Sequence, residues 1–215
     1  MTSNVARTGS TGPSAPPAAE SPATARPPAR SRLWLFGVVL ALIALDLWSK
    51  AHVFALLGDP SVPKVREGNL ERILVFGEWF AWMRNLNYGA AFGRLTHVPY
   101  PLVILRCGAV LLVSWFILRA PRGQRVYLTA LVLILAGAAG NLYDNFFFRP
   151  ADHDPTRPFG PVRDFIDFYV PAWDWHFATF NVADSCISVG AVLLILSGIG
   201  GGAREESQSK SQSKP

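Results

Sequence analysis

A chain of 215 residues that is 50% hydrophobic and only 16% charged lies outside the balance of soluble domains and reads as a single membrane-embedded unit. Its net charge of +5 is scattered over tails and short loops, with no basic stripe or nucleic-acid motif, so nucleic acid is not a partner. Cys107 and Cys186 both fall in apolar runs and read as buried free thiols, and the four histidines form no HExxH-type pair, so no metal site is expected.

Met1 to Arg30 is Ala, Pro, Ser, Thr and Arg with almost nothing large to bury, and is expected to be disordered. Leu33 to Leu57 follows, uncharged as far as Leu45 and then carrying Asp46, Ser49 and Lys50. A signal peptide would share its basic flank, but the internal charges and the apolar segments downstream favour a retained membrane helix. After a polar turn region from Gly58 to Gly68, Ile73 to Phe80 and Met83 to Phe92 hold β-favouring residues broken by Gly77 and Gly89, and predict short extramembrane strands. Pro101 to Leu118 predicts the second membrane helix; its one charge, Arg106, reads as a snorkelling side chain. A basic loop, Arg119 to Arg125, leads to a third helix from Val126 to about Tyr143. Phe146 to Thr179 is too polar and Pro-broken to span, and its Trp and Phe content predicts a segment lying along the lipid headgroups. Val182 to Ile199 predicts a fourth helix, and Gly200 to Pro215 a polar tail.

Arg26, Arg30 and Arg32 before the first helix and Arg119, Arg122 and Arg125 before the third place both regions in the cytoplasm, so four helices leave both termini inside. At ~1.5 Å rise per residue, Asp46 then lies roughly 20 Å above the inner face, Asn141 roughly 22 Å, Asp144 about 27 Å and Asp184 roughly 20 Å. Singly, each has a structural explanation: Asp46 and Lys50 are spaced for an intrahelical ion pair, and Asn141 suits a bond between helices. Their common level, beside the outward loop that carries Asp164, points to one shared polar pocket. No Ser lies in a GxSxG setting and no metal triad is present, which leaves paired carboxylates, one protonated and one ionised, as the available chemistry. That is the chemistry of aspartic peptide hydrolysis. The rival class is a small ion or proton transporter using intramembrane aspartates, weakened by the lack of an internal repeat.

Five stretches in order, Asp46-Leu-Trp-Ser-Lys50, Asn87-Tyr-Gly-Ala-Ala-Phe-Gly93, Gly137-Ala-Ala-Gly-Asn-Leu-Tyr-Asp144, Val162-Arg-Asp-Phe165 and Phe180-Asn-Val-Ala-Asp184, resemble the lipoprotein signal peptidases, or signal peptidase II. The resemblance covers roughly Leu33 to Ile199 and leaves 1–32 and 200–215 as cytoplasmic tails. It implies an all-α membrane fold, four transmembrane helices with a small outward β-rich cradle at about Ile73 to Phe92, in the bacterial cytoplasmic membrane with the active site near its outer face. It further implies a monomeric aspartic endopeptidase, without cofactor or metal, that works among membrane lipid and removes the signal peptide of a prolipoprotein before its diacylglyceryl-modified cysteine. By the same resemblance Asp164 and Asp184 are the catalytic pair, Asn87 and Gly89 line the substrate side, Asn141 and Asn181 orient a carboxylate or the scissile backbone, and Asp46, Lys50 and Asp144 fix helix positions and local charge.

The chain departs from the family pattern at Tyr88, where a small hydroxyl residue is usual, at Gly93 in place of Ser, and at Asn145 in place of an Arg. Arg149 and Arg163 are the candidates to supply that missing charge. The 146–161 connection is longer than usual and reads as a tolerated insertion rather than a lid.

Overall fold

Leu33–Gly58 (α1), Pro99–Arg119 (α2) and Arg125–Phe147 (α3) are each apolar enough and long enough to cross a bilayer. The computed structural model describes residues 32–67, 70–89, 99–121 and 123–212, the last without side chains beyond 198. The N-terminal tail through Ser31, the 90–93 part of the second motif and Arg122 therefore lie outside the described residues. Val182–Gln212 (α4) completes the helices; its apolar part, Val182–Gly198, is shorter than the other three. Of the four expected spans, three thus meet the length and hydropathy of a crossing.

α3 is the central helix and contacts α1, α2 and α4. Its small-residue run Gly137 to Gly140 makes this possible: a Cβ at Gly137 would lie 2.2 Å from the Ala183 carbonyl oxygen, and one at Gly140 would lie 2.6 Å from Asp46 Oδ2. Glycine lets helix backbones approach this closely. At one end of the bundle Leu35, Val39, Ile117, Leu131, Val132, Leu135 and Ala136 form a packed core. Arg32 closes that end, donating at 2.9 Å each to the Ile117 carbonyl, which the last turn of α2 leaves unpaired, and to the Pro121 carbonyl just beyond it. Large apolar side chains such as Leu40, Ile104, Leu105, Leu111 and Ile195 point outward, as lipid-facing positions require.

The other end carries a five-stranded antiparallel sheet in the order β1 (Val65–Glu67), β2 (Leu70–Phe76), β3 (Phe80–Asn87), β4 (Val162–Val170) and β5 (Trp175–His176). The fold is therefore not all-α, and the sheet exceeds the cradle expected at 73–92. Its largest addition is β4, which falls in a stretch read as lying along the surface. β4 pairs with β3 along Asn85↔Asp164 and Asn87↔Val162, and Phe165 and Ile166 then pack with Val53 and Leu57 of α1. Buried Asp167 ties the strands together, paired with Arg72 of β2 at 3.0 Å and His176 of β5 at 2.9 Å. The expected aromatic surface survives beyond β4, where Trp173 is 79% exposed and Trp175 and Phe177 are also exposed.

Candidate active site

Two pieces of local structure fix the carboxylates. Asp164 is the third residue of β4, where strand alternation turns it from the sheet toward the helix ends, and it is 1% exposed. Just before α4, Phe180 is pinned to β4: its carbonyl accepts from Phe165 N at 3.0 Å and Ile166 N at 2.8 Å, and its N–H donates to Ile166 O. The next four residues form a reciprocal helix cap. Asp184 N donates to Asn181 Oδ1 at 2.9 Å, and Asn181 N donates to Asp184 Oδ2 at 3.2 Å. This is the capping-box pattern with Asn and Asp, and it fixes Asp184 in the first turn of α4, where the helix dipole favours a negative charge.

Asn181 joins the two acids. Its Nδ2 donates to Asp164 Oδ1 at 2.6 Å, while its backbone N–H and side-chain oxygen hold Asp184. Asn87, at the end of β3, donates to the other oxygen, Asp164 Oδ2, at 3.0 Å, and its own Oδ1 accepts from Gly89 N at 3.0 Å. Asn141 Nδ2 donates to Asp184 Oδ1 at 2.8 Å. That amide is oriented by Lys50, whose Nζ donates to Asn141 Oδ1 at 2.9 Å.

Lys50 is fully buried and pairs with Asp46 Oδ2 at 2.8 Å and Asp144 Oδ2 at 3.3 Å. Asp46 Oδ1 accepts from Ala183 N at 2.9 Å, one of the free N–H groups that open α4. Asp144 receives Arg163 from the side-chain Nη2 at 2.7 Å and from the backbone N–H at 3.0 Å. All the residues singled out in the sequence, Asp46, Lys50, Asn87, Gly89, Asn141, Asp144, Asp164, Asn181 and Asp184, thus belong to one hydrogen-bonded network.

The two acids are unlike. Burial, and then the nearby Asp184 charge, push the Asp164 carboxyl up from 3.8 to about 7, against the opposing pull of the Asn87 and Asn181 hydrogen bonds and the Lys50 charge. Asp184 is only partly buried, where Asp164 is 1% exposed. Asp164 is thus placed to keep a proton near neutral pH.

Three polar groups of this region were not foreseen in these roles. Arg106 is not a snorkelling side chain: its guanidinium turns inward from α2 and donates to Asn145 Oδ1. Arg163, a candidate for the missing charge, is committed to Asp144, and Arg149, the other candidate, donates to the Asn145, Phe148 and Pro158 carbonyls. Only the face that α2 turns to α3 decides the direction of Arg106, and the sequence of α2 alone does not carry it. The 146–161 loop folds back over Tyr88, with His153 stacked on its ring and the Arg157 guanidinium 4.5 Å from its centre. Between this loop and the N-terminal end of α2 is a cavity of about 260 Å³ bordered by Tyr88, Leu102, Val103, Asn145 and Phe159. Among the described residues no cluster of His, Cys, Asp and Glu is arranged to hold a metal ion.

Residues 38–199 match the model of the signal peptidase (SPase) II family. The chain is 36% identical over 188 residues to a lipoprotein signal peptidase of Yersinia pseudotuberculosis, covering 84% of this chain and 93% of that one. It is 38% identical over 172 residues to a lipoprotein signal peptidase of Shigella flexneri, covering 77% and 88%. A solved structure described as a bacterial membrane enzyme superposes with a TM-score of 0.59 at 22% identity, covering 84% of this chain and 93% of that one, a likeness of fold.

Proposed function

The chain belongs to the signal peptidase II family and is a lipoprotein-processing peptidase of a bacterial membrane, and from that premise we propose that it cleaves by an aspartic mechanism with Asp164 and Asp184 as the dyad. The membership decides for a peptidase against the ion-transporter reading. The observation that carries the aspartic reading is the bridge through Asn181, which holds both carboxyls in one network while burial drives Asp164 toward its protonated form.

In the proposed reaction Asp184, ionised, takes a proton from a water molecule as that water attacks the scissile carbonyl carbon. Asp164 gives its proton to the carbonyl oxygen, so the tetrahedral intermediate is a neutral gem-diol. Collapse returns a proton to Asp164, and Asp184 passes the proton it took to the leaving amine. Asn141, Asn87 and Asn181 together donate to all four carboxyl oxygens, which fixes the faces the carboxyls turn to substrate. Lys50 holds Asn141 with its Nδ2 toward Asp184.

The substrate in this reading is a prolipoprotein cut before its diacylglyceryl-modified cysteine. The sheet end of the bundle faces outward and the arginine-rich end, with Arg32, Arg119 and Arg125, faces the cytoplasm, with α4 returning the chain inward as the fourth span. The lipid-modified cysteine then reaches the dyad from the outer leaflet, without leaving the headgroup level. Both acids come from one chain, so a monomer suffices, with 33–199 as the catalytic unit.

The test is cleavage of a diacylglyceryl-modified prolipoprotein by purified Asp164→Asn and Asp184→Asn in detergent micelles. Each substitution is isosteric, so helical content is retained while kcat falls by about a thousandfold or more. Near-normal cleavage by either variant refutes the dyad.

A further inference from the structure

We infer that Arg106 is a positioning residue of the peptidase site: presented from α2 and fixed by Asn145, its guanidinium supplies the third cation that balances the four clustered carboxyls down to one shared proton. This rests on the dyad reading above and adds to it a residue from a helix that contributes none of the motifs.

The geometry begins with Asn145. Its Nδ2 donates to Gly160 O at 2.8 Å, and its carbonyl accepts from Gly160 N at 2.9 Å, so the loop end locks the residue and leaves Oδ1 facing α2. Arg106 donates to that oxygen. Its neighbours Ile104 and Leu105 face lipid, while Arg106 itself turns from lipid toward the bundle. Among the described residues no carboxylate forms an ion pair with it. A half-buried guanidinium bonded to a single neutral amide is better held where a field of opposite charge surrounds it. That field is present: Arg106 interacts electrostatically with Asp184 most strongly, then with Asp164 and Asp144.

The charges around it come from every packed element. Asp184 is on α4, Asp164 and Arg163 on β4, Asp144 on α3, and Asp46 and Lys50 on α1. The nearby loop adds Asp154 and Arg157, which line the cavity beside Asn145 and are opposite in sign. Lys50 and Arg163 are both spent on Asp46 and Asp144. Two cations against four carboxyls leave two negative charges unmatched, and Arg106 is the one that makes a single negative charge on the dyad the balanced state. Without it the cluster favours a second proton, which removes the base. The cation need not come from α2: position 145 is within hydrogen-bond reach of the same space, and an arginine there would fill it from α3.

The experiment is the pH dependence of kcat and KM for diacylglyceryl-modified prolipoprotein cleavage by the full chain in proteoliposomes, for wild type, Arg106→Gln, Arg106→Lys and Arg106→Gln/Asn145→Arg. Arg106→Gln is expected to move the optimum up by about one pH unit and so to lower kcat about tenfold on the acid limb of the profile, because losing a nearby cation raises both macroscopic constants of the dyad. At the new optimum most of kcat returns. Arg106→Lys keeps the wild-type optimum, and the double variant regains the acid-limb activity to within a few-fold. An unchanged rate and profile in Arg106→Gln, a loss at every pH with an unmoved optimum, or no recovery in the double variant overturns the inference. Asp164→Asn is run beside them: if it cleaves normally, the dyad itself falls, a result distinct from any of these.

Discussion

Replacing Lys50 with Met tests how the network is held together. Lys50 is fully buried and contacts Asp46, Asp144 and Asn141 from one nitrogen. Arg163 still pairs with Asp144 after the change, so the group left with an uncompensated charge is Asp46, 2% exposed and 2.8 Å from the missing ammonium. Removing one partner of a buried pair costs about 3–5 kcal/mol, which in a chain of this size lowers Tm by about 10 °C. Lys50→Met/Asp46→Asn removes the orphaned charge, while the Asn oxygen still accepts from Ala183 N, so most of the Tm returns. Activity does not return with it. Asn141 has lost the donor that turns its Nδ2 toward Asp184, so kcat stays about tenfold down, the value of one hydrogen bond to a charged group. Thermal unfolding in detergent, read beside cleavage of the same samples, separates the two effects. A Lys50→Met protein within about 2 °C of wild type and fully active would refute the network's role.

Two further outcomes follow from the same geometry. Asp164 has a folded-state pKa raised above its unfolded value, so its ionisation opposes folding: its contribution to stability is fully present below about pH 4 and is lost as pH rises through about 7. Asp164→Asn escapes this loss and is expected to be more stable than wild type at pH 7.5 by about 2–4 kcal/mol, the gap closing toward pH 4, as pH-dependent thermal unfolding would show; equal Tm values at pH 7.5 contradict it. Gly137→Ala forces α3 away from the Ala183 carbonyl and the Ile187 side chain and is expected to cost about 1–3 kcal/mol with loss of cleavage. Gly108→Ala on α2 meets nothing within 4 Å and should be neutral or slightly stabilising; equal effects at the two positions would contradict the packing account.

Much of the site was legible because the bilayer makes depth readable along a helix. Asp46, Asn141 and Asp184, placed at one level by counting residues, are joined through Lys50 and Ala183 in the fold. The helices themselves were visible as apolar runs, with α1 ending one residue beyond its expected end and α3 extending past Asp144 to Phe147. β4 was hidden for a physical reason. Val162–Val170 pairs with β3, whose residues lie about 80 positions earlier, and its aromatic content resembles a headgroup belt when read alone. Seven consecutive residues, Arg163 to Tyr169, alternate polar and apolar only in part, which leaves the strand period faint. Arg106 was misread because the sequence shows its depth and not the face it occupies. The capping box at Asn181 and Asp184 was readable in principle, since Asn-x-x-Asp opens an apolar run.

The central claim is that Asp164 and Asp184 share one proton, and the pH dependence of kcat/KM for a diacylglyceryl-modified prolipoprotein tests it most directly. Because kcat/KM reports the free enzyme, the account predicts a bell that falls on its alkaline side as Asp164 loses its proton near 7. A rate that climbs to a plateau and holds it through pH 9 would mean that no protonated acid takes part, and would contradict the dyad.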